Sequence, residues 1–143
     1  MGKVASLLNF IDENLRLLED RLGELGSRRI VEDTFLFYSA IHILQVSAQA
    51  LIDLASRIIA EAGLGLVDRY TAIPEILAER GVLSPEDALL LRRIIGFRNV
   101  AVHCYTKMSR EVVREILEGR KYRDMLRLAS ILVEWARGRG VDP

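Results

Sequence analysis

A long apolar segment in the first half of the sequence most restricts what this chain can fold into. Over residues 31–62, apolar side chains recur at spacings of three and four, which predicts one long α-helix. Both sides of that helix are largely apolar, so we expect it to lie at the centre of the domain or at a subunit interface. The predicted core stripe is Phe35, Ile41, Leu44, Ala48, Leu51, Leu54, Ala55, Ile58 and Ile59, and the second apolar side is Phe37, Ile43, Val46, Ala50 and Ile52.

Shorter helical segments flank this one. The same periodicity predicts a helix over residues 4–25, which G-S-R-R ends, and a short helix over residues 73–80 with Pro74 in its first turn. In S-P-E-D, Ser84 is a predicted N-cap, Pro85 the first helical residue and Asp87 the closing member of a capping box. Ser109 caps a last helix that reaches Trp135, with a kink near Gly119.

Strand-like alternation and internal repeats are absent from the sequence, and only three prolines interrupt it. At 143 residues one domain is the default, so residues 1–143 are predicted to form a single all-α, up-and-down helical bundle. We expect charged residues to interrupt every apolar run before it reaches the roughly 18 residues of a membrane span. Acidic residues follow the N-terminus too soon for a signal peptide. We therefore expect a cytoplasmic protein.

The stretch R-N-V-A-V-H-C-Y, residues 98–105, concentrates the reactive side chains. On a helix Asn99 and His103 are four apart and share a face, so the amide can orient the imidazole. Arg98 and His103 are five apart, about 140° around the helix axis. They can converge on one small ligand only if the helix ends near His103, or if a second copy of the chain supplies one of them.

Established metal and nucleotide motifs are missing from the sequence. A zinc site needs three or four ligands, but the chain has one cysteine and two histidines that lie sixty positions apart. No G-x-x-x-x-G-K-[ST] or G-x-G-x-x-G loop and no G-x-S-x-G elbow is present. Because His103 and Cys104 are adjacent, they point about 100° apart on a helix and make a poor protease pair. We expect no metal and no cofactor.

Positive charge surrounds the stretch although the formal net charge of the chain is zero. Residues 88–110 contain no Asp or Glu, and their basic residues suit phosphate binding. RNA can be cleaved without a metal because its own 2′-hydroxyl can attack the adjacent phosphate. That reaction needs a base, an acid and a cation, and a symmetric dimer would supply two histidines and two arginines. The predicted RNA-binding residues are Arg92, Arg93, Lys107 and Arg110.

Spacing alone also permits a purely structural interpretation. An Arg-x4-His pair often arises by chance in helical proteins, which would leave His103 structural and Arg98 solvated. His42, between Ile41 and Ile43, is expected to be structural, and Cys104 to be a small packed residue. Gly96 is costly in a helix and is expected either to admit a close partner or to have no role.

R-N-V-A-V-H-C-Y resembles the R-x4-H-x-Y motif of HEPN-domain proteins of the HepT family (the DUF86 group). The resemblance extends through A-L-I-D-L-A-S-R-I-I-A-E-A-G-L-G and P-E-I-L-A-E-R-G-V-L-S, so it covers nearly the whole chain. It implies a HEPN-type helical bundle with a long second helix, and a homodimer whose motifs meet at the interface. It also implies a metal-independent endoribonuclease that is the toxin of a toxin–antitoxin pair, with tRNA among its candidate substrates.

The same resemblance assigns roles by position. Arg98 and His103 match the catalytic pair, and Asn99 is the polar residue that commonly follows the arginine. Tyr105 matches the tyrosine that a partner, a minimal nucleotidyltransferase of the MntA type, adenylylates. Two alternatives stay open: a non-catalytic helical module that binds a nucleotidyltransferase, for which loss of Arg98 or His103 would be expected, and a plain dimerising scaffold.

Overall fold

The computed structural model describes residues 2–141, and within this range every regular element is helical. The predicted all-α class is therefore confirmed. In chain order the helices are α1 (Lys3–Leu25), α2 (Ser27–Glu32), α3 (Thr34–Glu61), α4 (Ala72–Glu79), α5 (Pro85–His103), α6 (Arg110–Glu118) and α7 (Arg123–Arg137), with a 3₁₀ turn at Tyr105–Lys107 between α5 and α6.

Helix α3 lies at the centre of the bundle, as its two apolar sides predict. It packs against α1, α2, α4, α5 and α7. Leu44, Leu51 and Ile58 of the predicted stripe are fully buried, and so is Ile52 of the second side. The prediction was wrong for one member of the stripe. Phe35 lies at the exposed start of α3, with 80% of its surface accessible.

The helix boundaries depart from the prediction at two places. Only Gly26, with φ of +80°, interrupts the chain after α1, so G-S-R-R is not a full break and α2 begins at Ser27. Asp33 then leaves the helical conformation and accepts a hydrogen bond from the Leu36 N–H (3.0 Å), which starts α3 there. The kink predicted near Gly119 is a complete break, since Arg120 has φ of +49° and α7 starts at Arg123.

The predicted caps on either side of the motif are present. The Ser84 hydroxyl accepts from the Asp87 N–H (3.1 Å) with Pro85 as the first residue of α5. The Ser109 hydroxyl accepts from the Val112 N–H (3.2 Å) at the start of α6. These two serines therefore set where α5 begins and where the chain becomes helical again after the motif.

The expectation that charges interrupt every apolar run is wrong for residues 34–52, which contain no Asp, Glu, Lys or Arg. By length and composition α3 is a candidate membrane span. Half of its most apolar window is buried inside the bundle, which is what the core helix of a helical domain shows.

A buried tyrosine ties α1 to the turn between α6 and α7. Tyr122 is 1% exposed, and its hydroxyl donates to Glu19 Oε1 (2.7 Å) while Arg120 Nη1 donates to the hydroxyl (3.0 Å). Arg123 Nε also donates to Glu19 Oε1 (2.7 Å). These hydrogen bonds, first from Tyr122 and then from Arg123, hold the pKa of the Glu19 carboxyl below its ordinary value.

Glu19→Gln is expected to lower the free energy of unfolding at pH 7 by about 1–2 kcal/mol, because the Tyr122 hydroxyl and two arginines lose a charged acceptor. Since the folded pKa of Glu19 lies below the unfolded value, its ionised form stabilises the fold above that value of about 4.5, and this contribution disappears as pH falls through the folded pKa. Urea unfolding at pH 7 and pH 3.5 measures both effects.

The variant should therefore lose less stability than the wild type on acidification. Glu24→Gln, which removes an exposed carboxylate paired with Arg21 on the same helix, is the matched control and should behave like the wild type. An equal effect of the two substitutions would contradict the stabilising role of the hydrogen bond between Glu19 and Tyr122.

Candidate functional site

The motif lies where α5 ends. His103 is the last residue of the helix, and the Cys104 N–H closes it by donating to the Val100 carbonyl (2.8 Å). The chain then turns through Tyr105–Lys107 before Ser109 starts α6. The helix end near His103, one of the two conditions for Arg98 and His103 to act together, is therefore present.

Arg98 is half-buried and held from three directions. Its Nε donates to Gln49 Oε1 on α3 (2.8 Å), and its Nη1 donates to Asn99 Oδ1 (3.0 Å). The guanidinium carbon lies 5.1 Å from the ring centroid of Tyr70, in the loop before α4, which is a cation–π distance. Within residues 2–141 no hydrogen bond uses Nη2, so this nitrogen remains available to an anion.

Asn99 does not orient His103 in this structure. Its side-chain oxygen is bound to Arg98, although Asn99 and His103 are four residues apart on α5 as expected. His103 is exposed, and its ring has no hydrogen-bond partner among the side chains that the structure describes. The imidazole therefore faces solvent at the end of the helix, where a substrate can reach it.

The other two residues of the stretch are also accessible. Cys104 is exposed, which corrects the expectation of a packed cysteine. Tyr105 has 67% of its surface accessible, so its hydroxyl can be reached by another protein. His42 is exposed on α3 as well, so it is not the structural core histidine that was expected.

The four predicted RNA-binding residues are all exposed, and they differ in their contacts. Arg92 and Arg93 are exposed on α5 and Lys107 on the turn, and none of them forms an ion pair within the described part of the chain. Arg110 differs, because its guanidinium donates to the Val31 carbonyl and lies 4.4 Å from the centroid of the Phe37 ring. It joins α6 to the start of α3, and we leave it out of the proposed RNA surface.

Helix α5 has an outward stripe with a glycine at its middle. Arg92, Gly96 and His103 lie on one face, and the apolar side chains of Leu89 and Val100 are exposed beside them. A Cβ atom placed on Gly96 would meet nothing within 4 Å. The glycine is therefore not required by packing inside this chain, and both alternatives, close approach by a partner and no role, stay open.

Two of the surface grooves border α1. One of about 520 Å³ lies between α1, α3 and α5 and has Arg98 and Gln49 in its wall. A larger groove of about 1080 Å³ lies between α1 and α7 and contains the Glu19–Tyr122 contact, but none of residues 98–105. Of residues 98–105, the smaller groove contains Arg98 and Val102. Over residues 2–141 no group of three or more His, Cys, Asp or Glu side chains is arranged to hold a metal ion.

Gln49 and Tyr70 were not found from the sequence. They lie 49 and 28 positions before Arg98, so local spacing does not connect them to the motif. The one available signal was weak: Gln49 and Asp53 are two polar residues four positions apart on a mainly apolar helix.

Comparison with known proteins places these features in a family. The family model described as HepT-like ribonuclease matches residues 11–131. The chain is 27% identical over 108 residues to a putative RNase of Archaeoglobus fulgidus, covering 74% of this chain and 78% of that protein. It is 28% identical over 87 residues to the mRNA nuclease HepT of Shewanella oneidensis, covering 61% of this chain and 65% of that protein.

Solved structures show the same fold. A tri-AMPylated HEPN toxin of Shewanella oneidensis, in complex with an MNT antitoxin, superimposes with a TM-score of 0.83 over 94% of this chain and 98% of that one, at 20% identity. The cytosolic protein YutE of Bacillus subtilis gives a TM-score of 0.79 over 100% and 97%, at 14% identity. The expected HEPN-type bundle is confirmed. Because the family model spans most of the sequence and the whole Arg98–Tyr105 stretch, the chain belongs to the HepT-like ribonuclease family.

Proposed function

We propose that this protein is a metal-independent endoribonuclease whose site is built from Arg98 and His103, with Asn99 assisting. The observation that carries the proposal is the end of α5, where a fixed guanidinium and an exposed imidazole stand within one R-x4-H stretch of a HepT-like ribonuclease. The substrate class is RNA. The similarity to an mRNA nuclease supports that class, and tRNA remains a second candidate.

The chemistry follows from RNA itself. A base removes the proton of the 2′-hydroxyl, and the 2′-oxygen attacks the adjacent phosphorus. The bond from phosphorus to the 5′-oxygen breaks, and an acid protonates that leaving oxygen. The products are a 2′,3′-cyclic phosphate and a 5′-hydroxyl. Histidine suits the base or the acid because it changes charge near neutral pH, and Arg98 would stabilise the charge that develops on the phosphate oxygens.

Binding of the RNA chain needs positive charge beyond the site. We assign this role to Arg92, Arg93 and Lys107, which are exposed on α5 and the following turn. The neutral net charge of the chain means that this attraction is local to that surface.

We propose further that two chains form a homodimer in which the ends of α5 meet and the R-x4-H site is composite. One chain offers one histidine at the site, whereas a symmetric pair offers two, one for each proton transfer. Gly96, with apolar Leu89 and Val100 exposed beside its face, is where two α5 helices could approach closely. An aligned pair would also bring two guanidinium groups to one phosphate.

Gly96→Leu is expected to dissociate this dimer, because the added side chain would separate the two helices. The fold itself should persist, since a Cβ at Gly96 meets no atom within 4 Å and leucine has a higher helix propensity than glycine, by up to about 1 kcal/mol. Sedimentation velocity measures the oligomeric state.

Gly23→Leu is the matched control, since Gly23 is an exposed glycine within α1 that also has nothing within 4 Å of an added Cβ. It should leave the dimer intact. A dimer that survives Gly96→Leu would place the interface elsewhere.

We propose that a minimal nucleotidyltransferase of the MntA type neutralises the toxin by adenylylating the Tyr105 hydroxyl. The exposure of Tyr105 beside the basic surface supports this, as does the fold similarity to a tri-AMPylated toxin bound to an MNT antitoxin. Each added nucleotide brings a negative phosphate and bulk next to Arg98 and His103, which would repel and block RNA. A cytoplasmic location fits this scheme, since RNA and ATP are both present there.

A further inference from the structure

A hydrogen-bonded chain of side chains reaches Arg98 from within α3. Gln49 Nε2 donates to Asp53 Oδ1 (2.9 Å), and Gln49 Oε1 accepts from Arg98 Nε (2.8 Å). Both distances are those of well-formed hydrogen bonds. Because Gln49 and Asp53 are four apart on one helix, the carboxylate fixes the amide in the orientation that presents its oxygen to Arg98.

These hydrogen bonds determine which donors of the Arg98 guanidinium are free. Gln49 occupies Nε, Asn99 occupies one hydrogen of Nη1, and the Tyr70 ring lies against the planar face. The donors that remain are Nη2 and the second hydrogen of Nη1. A guanidinium binds phosphate through donors in a fixed planar arrangement, so its orientation matters as much as its charge.

An unheld arginine would lack that orientation. The Arg98 side chain is long and half-buried on the helix surface, and it would sample several rotamers without these contacts. Groups that bind a transition state must stay within a fraction of an ångström of the productive geometry, and neighbouring hydrogen bonds are what keep them there.

We infer that Gln49, itself held by Asp53, is a positioning residue that aims the Arg98 guanidinium at the phosphate during RNA cleavage. The inference rests on the proposed function. It extends the site from the α5 motif to α3, and it makes Gln49 and Asp53 part of the nuclease.

Gln49→Met removes the acceptor while nearly keeping side-chain length and shape. We expect kcat for RNA cleavage to fall about ten- to a hundredfold, with KM changed by less than about threefold, because the positive charge stays but its alignment is lost. Gln49→Glu keeps an acceptor oxygen for Arg98 but loses the donor to Asp53, so it should recover only part of kcat relative to Gln49→Met. Its negative charge beside Arg98 should raise KM.

Gln45→Met is the matched control. Gln45 lies one turn earlier on α3 and, within the range the structure describes, makes no hydrogen bond to Arg98. Its substitution should leave kcat and KM as in the wild type. Loss of kcat in both Gln49→Met and Gln45→Met would indicate a general packing effect and overturn the inference.

A second readout does not depend on activity. In an NMR spectrum the Arg98 Nε–H signal, identified by its loss in Arg98→Lys, should exchange slowly with water in the wild type and rapidly in Gln49→Met. A signal unchanged by Gln49→Met would overturn the inference. If the wild type cleaves no RNA, the proposed function fails, and this signal still decides whether Gln49 holds Arg98.

Discussion

His103→Ala is expected to lose RNA cleavage by a factor of about 10² to 10⁴, the range that general acid–base catalysis contributes. The variant should keep its fold, because His103 is exposed at the end of α5 and its removal leaves no cavity. Arg98→Ala should be similarly inactive, since no other guanidinium is held at that position. Cleavage of a defined RNA, with circular dichroism as the test of folding, measures this, and cellular toxicity should disappear in parallel.

His42→Ala supplies the matched control. It removes the only other histidine of the chain, also from an exposed position, but on α3 rather than at the motif. Cleavage should continue in this variant. A folded His103→Ala protein that cleaves as fast as the wild type would refute the catalytic assignment and would favour a non-catalytic module that binds a nucleotidyltransferase.

Adenylylation of Tyr105 is expected to silence the nuclease, and Tyr105→Phe to escape that control. After incubation with an MntA-type nucleotidyltransferase and ATP, the wild type should gain the mass of one or more AMP groups and stop cleaving RNA. The reason is electrostatic and steric, because each phosphate adds negative charge where the RNA backbone must bind. Mass spectrometry of the intact protein and a cleavage assay on the same sample report both effects.

Tyr38→Phe is the control for the modification, because Tyr38 is another exposed tyrosine, on the outer face of α3. It should be adenylylated and silenced as the wild type is. AMP on the Tyr105→Phe protein, or modified wild type that still cleaves RNA, would reject Tyr105 as the switch.

Local signals in the sequence were sufficient to predict where the helices before and after the motif begin. Ser84 and Ser109 cap α5 and α6 because a serine hydroxyl accepts from the N–H three residues ahead, a contact that spacing alone predicts. The apolar residues on two sides of α3 likewise predicted its central position. The Asp33 cap was missed because the apolar pattern of α3 hid the boundary between two helices.

Contacts between distant parts of the chain could not be predicted in this way. Arg110 is one of the basic residues of the segment 88–110, but its contacts with Val31 and Phe37 join positions more than seventy residues apart. Gln49 and Tyr70 reach Arg98 only because α3 and the loop before α4 pack against α5. The motif therefore indicated the candidate catalytic residues, whereas the fold shows which side chains hold Arg98.

Metal-independent RNA cleavage by Arg98 and His103 can be tested in one time course with a single RNA, using wild type and folded His103→Ala, each with and without EDTA. We expect equal wild-type rates in both buffers, products that end in a 2′,3′-cyclic phosphate, and cleavage by the variant at least about a hundredfold slower. Cleavage that stops in EDTA, or equal cleavage by both proteins, would contradict the proposed function.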